Sequence, residues 1–185
     1  MQLFFLASML FAEIYTELIP SIYCIILLIF LFPLFMIITF QLIQIINIEN
    51  QFNRLSQKNL AGNLTYDDTF VLVKIYAKKK LWLSSIKVLE SSCVDDLDAK
   101  CKYCNIIGFS YYSMKQYDLA KSYYLKALNL RKDYLTALQN LAKIYELTKE
   151  FSLALETYHT VLLYYPHNSV AVRNIERIKN RDSRI

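Results

Sequence analysis

The chain has 185 residues, of which 21 are basic and 16 acidic, and its formal net charge is +5. It contains only two glycines and three prolines, too few to supply the turns that an all-β fold needs. The composition therefore excludes an all-β fold and predicts an all-α protein, with room for one domain of ordinary size and an appendage.

The first predicted element is a long apolar helix near the N-terminus. No charged residue occurs between Glu17 and Glu49, and this interval exceeds the roughly 20 apolar residues that a helix needs to cross a bilayer. We assign residues 19–46 to a transmembrane helix that follows an apolar extension, residues 1–18. A cleaved signal peptide has a basic start and a shorter apolar core, so this helix is expected to be retained as an anchor.

The charges on either side of this helix predict its orientation. No basic residue precedes it, whereas several follow it: Arg54, Lys58, Lys74, Lys78, Lys79 and Lys80. The positive-inside rule then places the C-terminal part on the cytoplasmic side, or in the stroma or matrix of an organelle. Residues 47–65 are expected to form the linker to that part.

Two later segments share one layout and lie 34 residues apart. In a frame that begins at Cys101, small residues occupy positions 8, 20 and 27 and aromatic residues positions 11, 17 and 24: Gly108, Ala120, Ala127, Tyr111, Tyr117 and Tyr124. The frame recurs from Leu135, with a proline added at position 32: Ala142, Ala154, Val161, Tyr145, Phe151, Tyr158 and Pro166. This pattern resembles the tetratricopeptide repeat, in which each unit is a hairpin of two helices.

The spacing of the small and aromatic residues predicts how each hairpin packs. Gly108 on the first helix is expected to face Ala120 on the second, and Ala142 to face Ala154 in the same way, so that the helix axes approach closely. The aromatic rings would fill the wider gaps around that contact and lean on the next hairpin. Glycine lowers helix propensity by roughly 0.5–1 kcal/mol relative to alanine, so Gly108 indicates a close approach.

The resemblance implies a solenoid of about three repeats. The two clear units are residues 101–134 and 135–168. Residues 66–100 align as a degenerate first unit, with Tyr76 at position 11 and Trp82 at position 17. The predicted architecture is therefore an all-α one, a transmembrane helix followed by a solenoid of helical hairpins.

A last amphipathic helix is predicted in residues 169–185, where it caps the solenoid and ends in a basic tail. Asn168 or Ser169 is expected to be its N-cap. Its apolar side is assigned to four residues: Val170, Val172, Ile175 and Ile178. Its basic residues are expected to face water: Arg173, Arg177 and Lys179. Such a helix covers the last apolar face of a solenoid.

Cys101 and Cys104 form a C-x-x-C pair close to Cys93, a pattern that also occurs in zinc and redox sites. A structural zinc site needs four ligands, and neither histidine lies near these cysteines in the sequence. A redox pair is expected in a βαβ context, which this chain lacks. We therefore assign the pair to packing. Without a glycine-rich phosphate loop or a nucleophile paired with a histidine, we expect no enzymatic activity, no metal and no cofactor.

The residues best suited to bind a partner are inferred from the resemblance. In tetratricopeptide domains, positions 2, 5, 9, 12 and 13 of the first helices line a concave groove. Here they are Phe70, Lys74, Lys78, Lys102, Asn105, Phe109, Tyr112, Thr136, Gln139, Lys143 and Glu146. Phe109 and Tyr112 beside lysines suit a peptide with apolar anchors and acidic groups, whereas the alternative is that these are ordinary solvated residues. A clamp for a terminal carboxylate is not implied, because Phe70 and Lys74 occupy its lysine and asparagine positions.

Three stretches carry a more specific resemblance: VLVKIYAKKKLW (residues 71–82), residues 106–146 and the final basic helix. With the N-terminal span, they resemble the small membrane-anchored tetratricopeptide proteins of cyanobacteria and algal plastid genomes that assist photosystem I assembly. The resemblance implies a thylakoid anchor, repeats that face the stroma, and photosystem I subunits or assembly intermediates as protein partners, with no nucleic acid expected. Two other functions remain open, an adaptor or receptor for protein import or quality control and a membrane tether that self-associates.

Overall fold

The computed structural model describes the backbone of residues 2–92 and 94–182 and the side chains of residues 15–16, 19–92 and 94–181. The described residues form eight helices and no strand, which confirms the all-α prediction. The chain divides into two units, Met1–Asn53 and Arg54–Ile185. In chain order the helices are α1 (Gln2–Leu60), α2 (Tyr66–Lys78), α3 (Trp82–Ser91), α4 (Leu97–Ser113), α5 (Tyr117–Leu130), α6 (Leu135–Leu147), α7 (Phe151–Tyr164) and α8 (Ser169–Asp182).

The N-terminal unit consists of α1, which runs through two prolines as one helix. Within the described residues, one helical segment is long and apolar enough to cross a membrane, Ile19–Leu60. Its large apolar side chains between Ile19 and Ile46 are exposed. The hydroxyl of Thr39 donates to the carbonyl oxygens of Phe35 and Met36 at 3.0 and 2.9 Å. An apolar surface and internally bonded polar groups make this helix compatible with a lipid environment.

Most of the predicted linker, residues 47–65, is helical, because α1 continues through it. The chain leaves this helix at Gly62, whose φ of +71° lies in the left-handed region that glycine adopts at low cost. Leu55 is buried in the second unit, and Lys58 pairs with Asp68 of α2 at 2.8 Å. The last turns of α1 therefore belong to the folded repeat unit.

The second unit contains three helical hairpins, α2–α3, α4–α5 and α6–α7, followed by α8. Each helix packs against the next one in the chain, which confirms the predicted solenoid. α4 begins at Leu97, before the start of the repeat frame at Cys101. The extra turn exists because the carboxylate of Asp96 caps the helix, accepting a hydrogen bond from the backbone N–H of Ala99 at 2.9 Å.

A lysine in the left-handed conformation closes each hairpin turn. Lys80, Lys115 and Lys149 have φ values of 57°, 62° and 63°, at intervals of 35 and 34 residues. The next backbone N–H along the chain donates to the carbonyl oxygen of the position-11 tyrosine at 2.9, 3.0 and 2.8 Å in the three units. These repeated turns follow the Schellman pattern, with lysine where glycine is usual. They show that the degenerate first unit has the same turn geometry as the other two.

The ring of Tyr124 lies directly on Gly108. A Cβ atom added to this glycine would lie 2.8 and 2.9 Å from Cε1 and Cδ1 of that ring, and the three nearest atoms all belong to Tyr124. The sequence assigned this place to Ala120, which is also fully buried in the same cluster. The missing side chain at Gly108 thus admits an aromatic ring, because position 24 of the second helix points back over position 8 of the first.

The capping helix α8 is N-capped by Asn168, whose side-chain oxygen accepts from the backbone N–H of Ala171 at 2.9 Å. Its buried residues are Ala171, Ile175 and Ile178, whereas Val170 and Val172 are exposed, so their assignment to the apolar side was wrong. Positions i, i+4 and i+7 share one helix face, and the two valines flank that face. Residues 183–185 of the predicted basic tail lie outside the described residues.

Candidate functional site

The structure distributes the predicted groove residues between exposed, half-buried and buried environments. The exposed ones are Lys74, Lys78, Phe109, Thr136 and Lys143, and the half-buried ones are Phe70, Lys102, Tyr112, Gln139 and Glu146. Asn105 is buried. Fewer of the predicted groove residues are therefore accessible to a partner than the sequence pattern implied.

The centre of the site is an aromatic cluster on α4. The ring centroid of Phe109 lies 6.2 Å from that of Tyr112 and 6.0 Å from that of Trp82 on α3. The ammonium group of Lys143 on α6 lies 5.2 Å from the Tyr112 ring centroid, within the range of a cation–π contact. Three hairpins thus contribute to one aromatic surface, which we call the Phe109 cluster. Phe109 is 42% exposed and is available to a partner.

The sequence analysis missed the contribution of Trp82 to this surface. It placed Trp82 at position 17, among the rings expected to lean on the next hairpin, but it named no contact residue for this ring and did not include it in the site. The edge of its ring meets the Phe109 ring at an interplanar angle of 79°, an edge-to-face arrangement. The sequence contained one indication of this contact, a phenylalanine at position 9 of the following unit, Phe109. The repeat pattern does not specify which aromatic ring packs against it.

A second aromatic cluster holds Phe70 in place. Its ring centroid lies 4.8 Å from that of Tyr66 and 5.4 Å from that of Tyr103, both of which the sequence analysis left out of the site. Tyr103 is buried, and this burial raises the pKa of its phenol. Phe70 therefore packs against Tyr66 of its own helix and Tyr103 of α4, and it is only partly exposed to solvent.

Two predicted groove residues are committed to contacts within the protein. The side-chain oxygen of Asn105 accepts a hydrogen bond from the amide of Asn140 at 3.2 Å, which links α4 to α6. The carboxylate of Glu146 forms an ion pair with Arg177 of α8 and accepts from the hydroxyl of Tyr158 at 2.7 Å. Arg177 was expected only to face water, but it reaches across to α6. These contacts connect helices, and the Glu146 charge is already paired.

The lysines of the site differ in their pairing. Lys102 pairs with Asp98 at 2.5 Å, and this hydrogen bond raises the pKa of the lysine. Lys74, Lys78 and Lys143 have no carboxylate partner among the described residues. The surface around the Phe109 cluster is therefore aromatic with unpaired positive charge, which suits a peptide that carries apolar and acidic side chains.

The C-x-x-C cysteines lie in a packing environment. Cys101 is fully buried and its thiol donates to the carbonyl oxygen of Ala127 at 3.3 Å, while Cys104 is half-buried. Burial raises the pKa of both thiols, which disfavours the reactive thiolate. Among the described residues no group of three or more potential metal ligands is found, and Cys93 lies outside them.

Comparison with known proteins places these features among tetratricopeptide-repeat proteins. Residues 102–134 match the tetratricopeptide repeat family. The ycf37 protein of Pyropia yezoensis is 32% identical over 172 residues, which cover 87% of this chain and 97% of that protein. The chloroplastic tetratricopeptide repeat domain-containing protein PYG7 of Arabidopsis thaliana is 30% identical over 131 residues, which cover 69% of this chain and 43% of that protein.

Solved structures share the fold at low identity. The crystal structure of MamA has a TM-score of 0.63 and 19% identity, with coverage of 71% of this chain and 77% of that one. The first tetratricopeptide domain of RPAP3, bound to an HSP90 peptide, has a TM-score of 0.55 and 19% identity. The match covers 69% of this chain and 95% of the RPAP3 chain. At such identities the likeness concerns the fold alone.

Proposed function

The chain belongs to the ycf37 family of plastid tetratricopeptide-repeat proteins, and we propose that it is a thylakoid-anchored scaffold that assists photosystem I assembly or stability. A scaffold for protein–protein interaction is the function that the repeat architecture supports. The thylakoid location and the photosystem I partners rest on the resemblance of residues 71–82 and 106–146 to the photosystem I assembly family. The stromal orientation rests on the basic residues that follow the apolar segment.

The observation that carries the proposal is the exposed Phe109 cluster, which three hairpins build together. Phe109 and Tyr112 supply apolar contact area, and Lys143 supplies a positive charge that no carboxylate in the described part of the chain neutralises. Aromatic residues at the centre of a surface contribute most of the binding energy in many protein interfaces. We infer that the partner presents an apolar side chain near one or more carboxylates.

A pull-down with the tagged full-length protein from solubilised native membranes tests the binding surface. The double variant Phe109→Ala/Tyr112→Ala is expected to lose most partner capture, and helix content measured by circular dichroism should stay unchanged. Leu163→Ala/Tyr164→Ala is the matched control, because it removes two exposed apolar side chains from α7, outside the cluster. Equal capture by both double variants would remove the Phe109 cluster from the proposal.

Deletion of the gene tests the biological role. The expected result is a lower level of photosystem I, with photosystem II much less affected. Unchanged levels of photosystem I would refute the assembly role. Capture of translocase or quality-control components would favour the import or quality-control alternative, and crosslinking that yields only the protein itself would favour a self-associating tether.

Membrane anchoring is tested separately by alkaline carbonate extraction. A protein with one spanning helix is expected to stay with the membrane pellet, because carbonate releases only peripheral proteins. Release of the intact chain would show that the apolar segment of α1 does not span the bilayer, whatever the outcome of the pull-down.

A further inference from the structure

The turns within the three hairpins lie along one side of the solenoid, and the C-terminal end of α8 lies on the same side. We call this side, with these turns and this helix end, the turn edge. Contacts between consecutive units place these turns side by side. Lys121, near the start of α5, pairs with Glu150 beside the next turn at 2.9 Å. The guanidinium group of Arg181, near the end of α8, lies 5.1 Å from the ring centroid of Phe151 at the start of α7.

Unpaired lysines are concentrated on the turn edge. Lys78, Lys80, Lys115 and Lys149 are all exposed, and none has a carboxylate partner among the residues that the structure describes. The acidic residues beside these turns are already paired: Asp118 and Glu150 with Lys121, at 3.2 and 2.9 Å, and Glu146 with Arg177. The positive charge of the four lysines is therefore not neutralised within the described part of the chain.

The opposite side of the solenoid has a different charge pattern. Its loops carry acidic residues that are paired with nearby bases. Asp98 pairs with Lys102 and Arg131, and this lowers the pKa of its carboxyl group. Asp68 pairs with Lys58 at 2.8 Å. The loops of this side also carry exposed lysines, Lys100 and Lys132, but they lie among acidic residues. The lysines of the turn edge have no such acidic neighbours left unpaired, so the turn edge is the more strongly basic side of the solenoid.

Exposed leucines accompany the lysines at every turn. Five of them lie within one helical turn of the hairpin turns, and Leu83 is 71% exposed: Leu81, Leu83, Leu119, Leu147 and Leu153. A purely polyanionic partner such as a nucleic acid backbone would contact the lysines but would leave these leucines in water. Lysines that alternate with exposed leucines on one surface are typical of segments that lie at a membrane interface.

We propose that the turn edge lies on the headgroup region of an anionic bilayer, with the lysines near lipid phosphates or sulfonates and the leucines at the acyl boundary. The proposal rests on the membrane anchoring in the proposed function, because the span keeps the repeats close to a bilayer. It does not depend on photosystem I or on the Phe109 cluster. Each lysine near an anionic surface contributes roughly a fivefold preference, so three would shift docking on the order of 100-fold.

The single tryptophan offers a probe at this edge. Trp82 is the first residue of α3 and follows the first hairpin turn directly. The full-length protein is reconstituted in vesicles of phosphatidylcholine alone, or of phosphatidylcholine with phosphatidylglycerol, and each set contains a phospholipid with a nitroxide on its headgroup. Tryptophan fluorescence is expected to be quenched strongly in the anionic vesicles and weakly in the neutral ones, and high salt should remove the difference.

The charge variants decide the outcome. Lys80→Gln/Lys115→Gln/Lys149→Gln should lose the quenching that depends on anionic lipid. The control Lys87→Gln/Lys100→Gln/Lys132→Gln, which changes net charge equally at exposed sites away from the turn edge, should keep it. Equal quenching in neutral and anionic vesicles, or equal loss in both variants, would overturn the proposal. Carbonate extraction of the same vesicles separates this result from failure of the anchor, because a chain that stays inserted without quenching refutes only the docking.

Discussion

Replacing Gly108 by alanine tests the packing of the central hairpin. In an ordinary helix this change is stabilising by about 0.5–1 kcal/mol, because alanine has the higher helix propensity. Here the new Cβ would lie 2.8 and 2.9 Å from two carbons of the Tyr124 ring, whereas carbon atoms pack at about 3.5–4.0 Å. The ring is 1% exposed and has no solvent to move into.

The magnitude follows from these two opposing effects. Overpacking of a close-packed core costs about 1–3 kcal/mol, which exceeds the gain in propensity. We therefore expect Gly108→Ala to lower the free energy of unfolding by up to about 2.5 kcal/mol, with a fall in Tm of about 4 °C per kcal/mol for a unit of this size. Thermal unfolding of the full-length protein in detergent, followed by circular dichroism, measures this change.

A double-mutant cycle identifies the ring as the cause. In a Tyr124→Leu background the obstructing ring is absent, so Gly108→Ala should become neutral or stabilising. Ala142→Gly is the matched change in the next unit, where alanine is already buried, and it should destabilise by about 1 kcal/mol. If Gly108→Ala raises the stability of the otherwise unchanged protein, the Tyr124 ring yields freely and the close-packing argument is wrong.

Two further predictions concern the hairpin turns and the buried phenols. Lys115→Gly should raise the free energy of unfolding by about 1 kcal/mol, because a side chain is sterically disfavoured at the φ of 62° found here. Lys115→Val should lower it, because a β-branched side chain fits this conformation less well than lysine. A higher Tm for the valine variant than for the glycine variant would contradict this. Burial raises the pKa of Tyr124, and the hydrogen bond to Glu90 raises the pKa of Tyr123 to about 12. A raised folded-state pKa stabilises the fold fully below the ordinary value near pH 10 and less as pH rises toward 12. The last part of the tyrosinate absorbance to appear in an alkaline titration, that of the buried phenols, should therefore accompany the loss of helix. Ionisation of all 15 tyrosines with unchanged helix content would contradict this.

The candidate site shows how much the repeat pattern can predict about individual side chains. Phe109, Tyr112 and Lys143, all at predicted groove positions, lie on one surface that includes the exposed Phe109 and Lys143. Asn105 and Glu146 occupy groove positions too, but their side chains bond to other helices. Position in a repeat indicates which face of a helix a residue occupies, whereas the partner of a polar side chain depends on what the adjacent helix offers within hydrogen-bonding distance.

The amino-acid sequence by itself determined the helical class, the repeat period, the hairpin order and the existence of a capping helix. Those features depend on the spacing of small, aromatic and apolar residues within one or two turns of helix, and this spacing is local information. The tertiary structure decided which side chains meet across helices: Tyr124 on Gly108, Trp82 on Phe109 and Arg177 on Glu146. Such pairs join residues far apart in the chain through crossing angles and rotamers, which a linear pattern does not contain. The basic turn edge likewise exists only because successive turns stack in space.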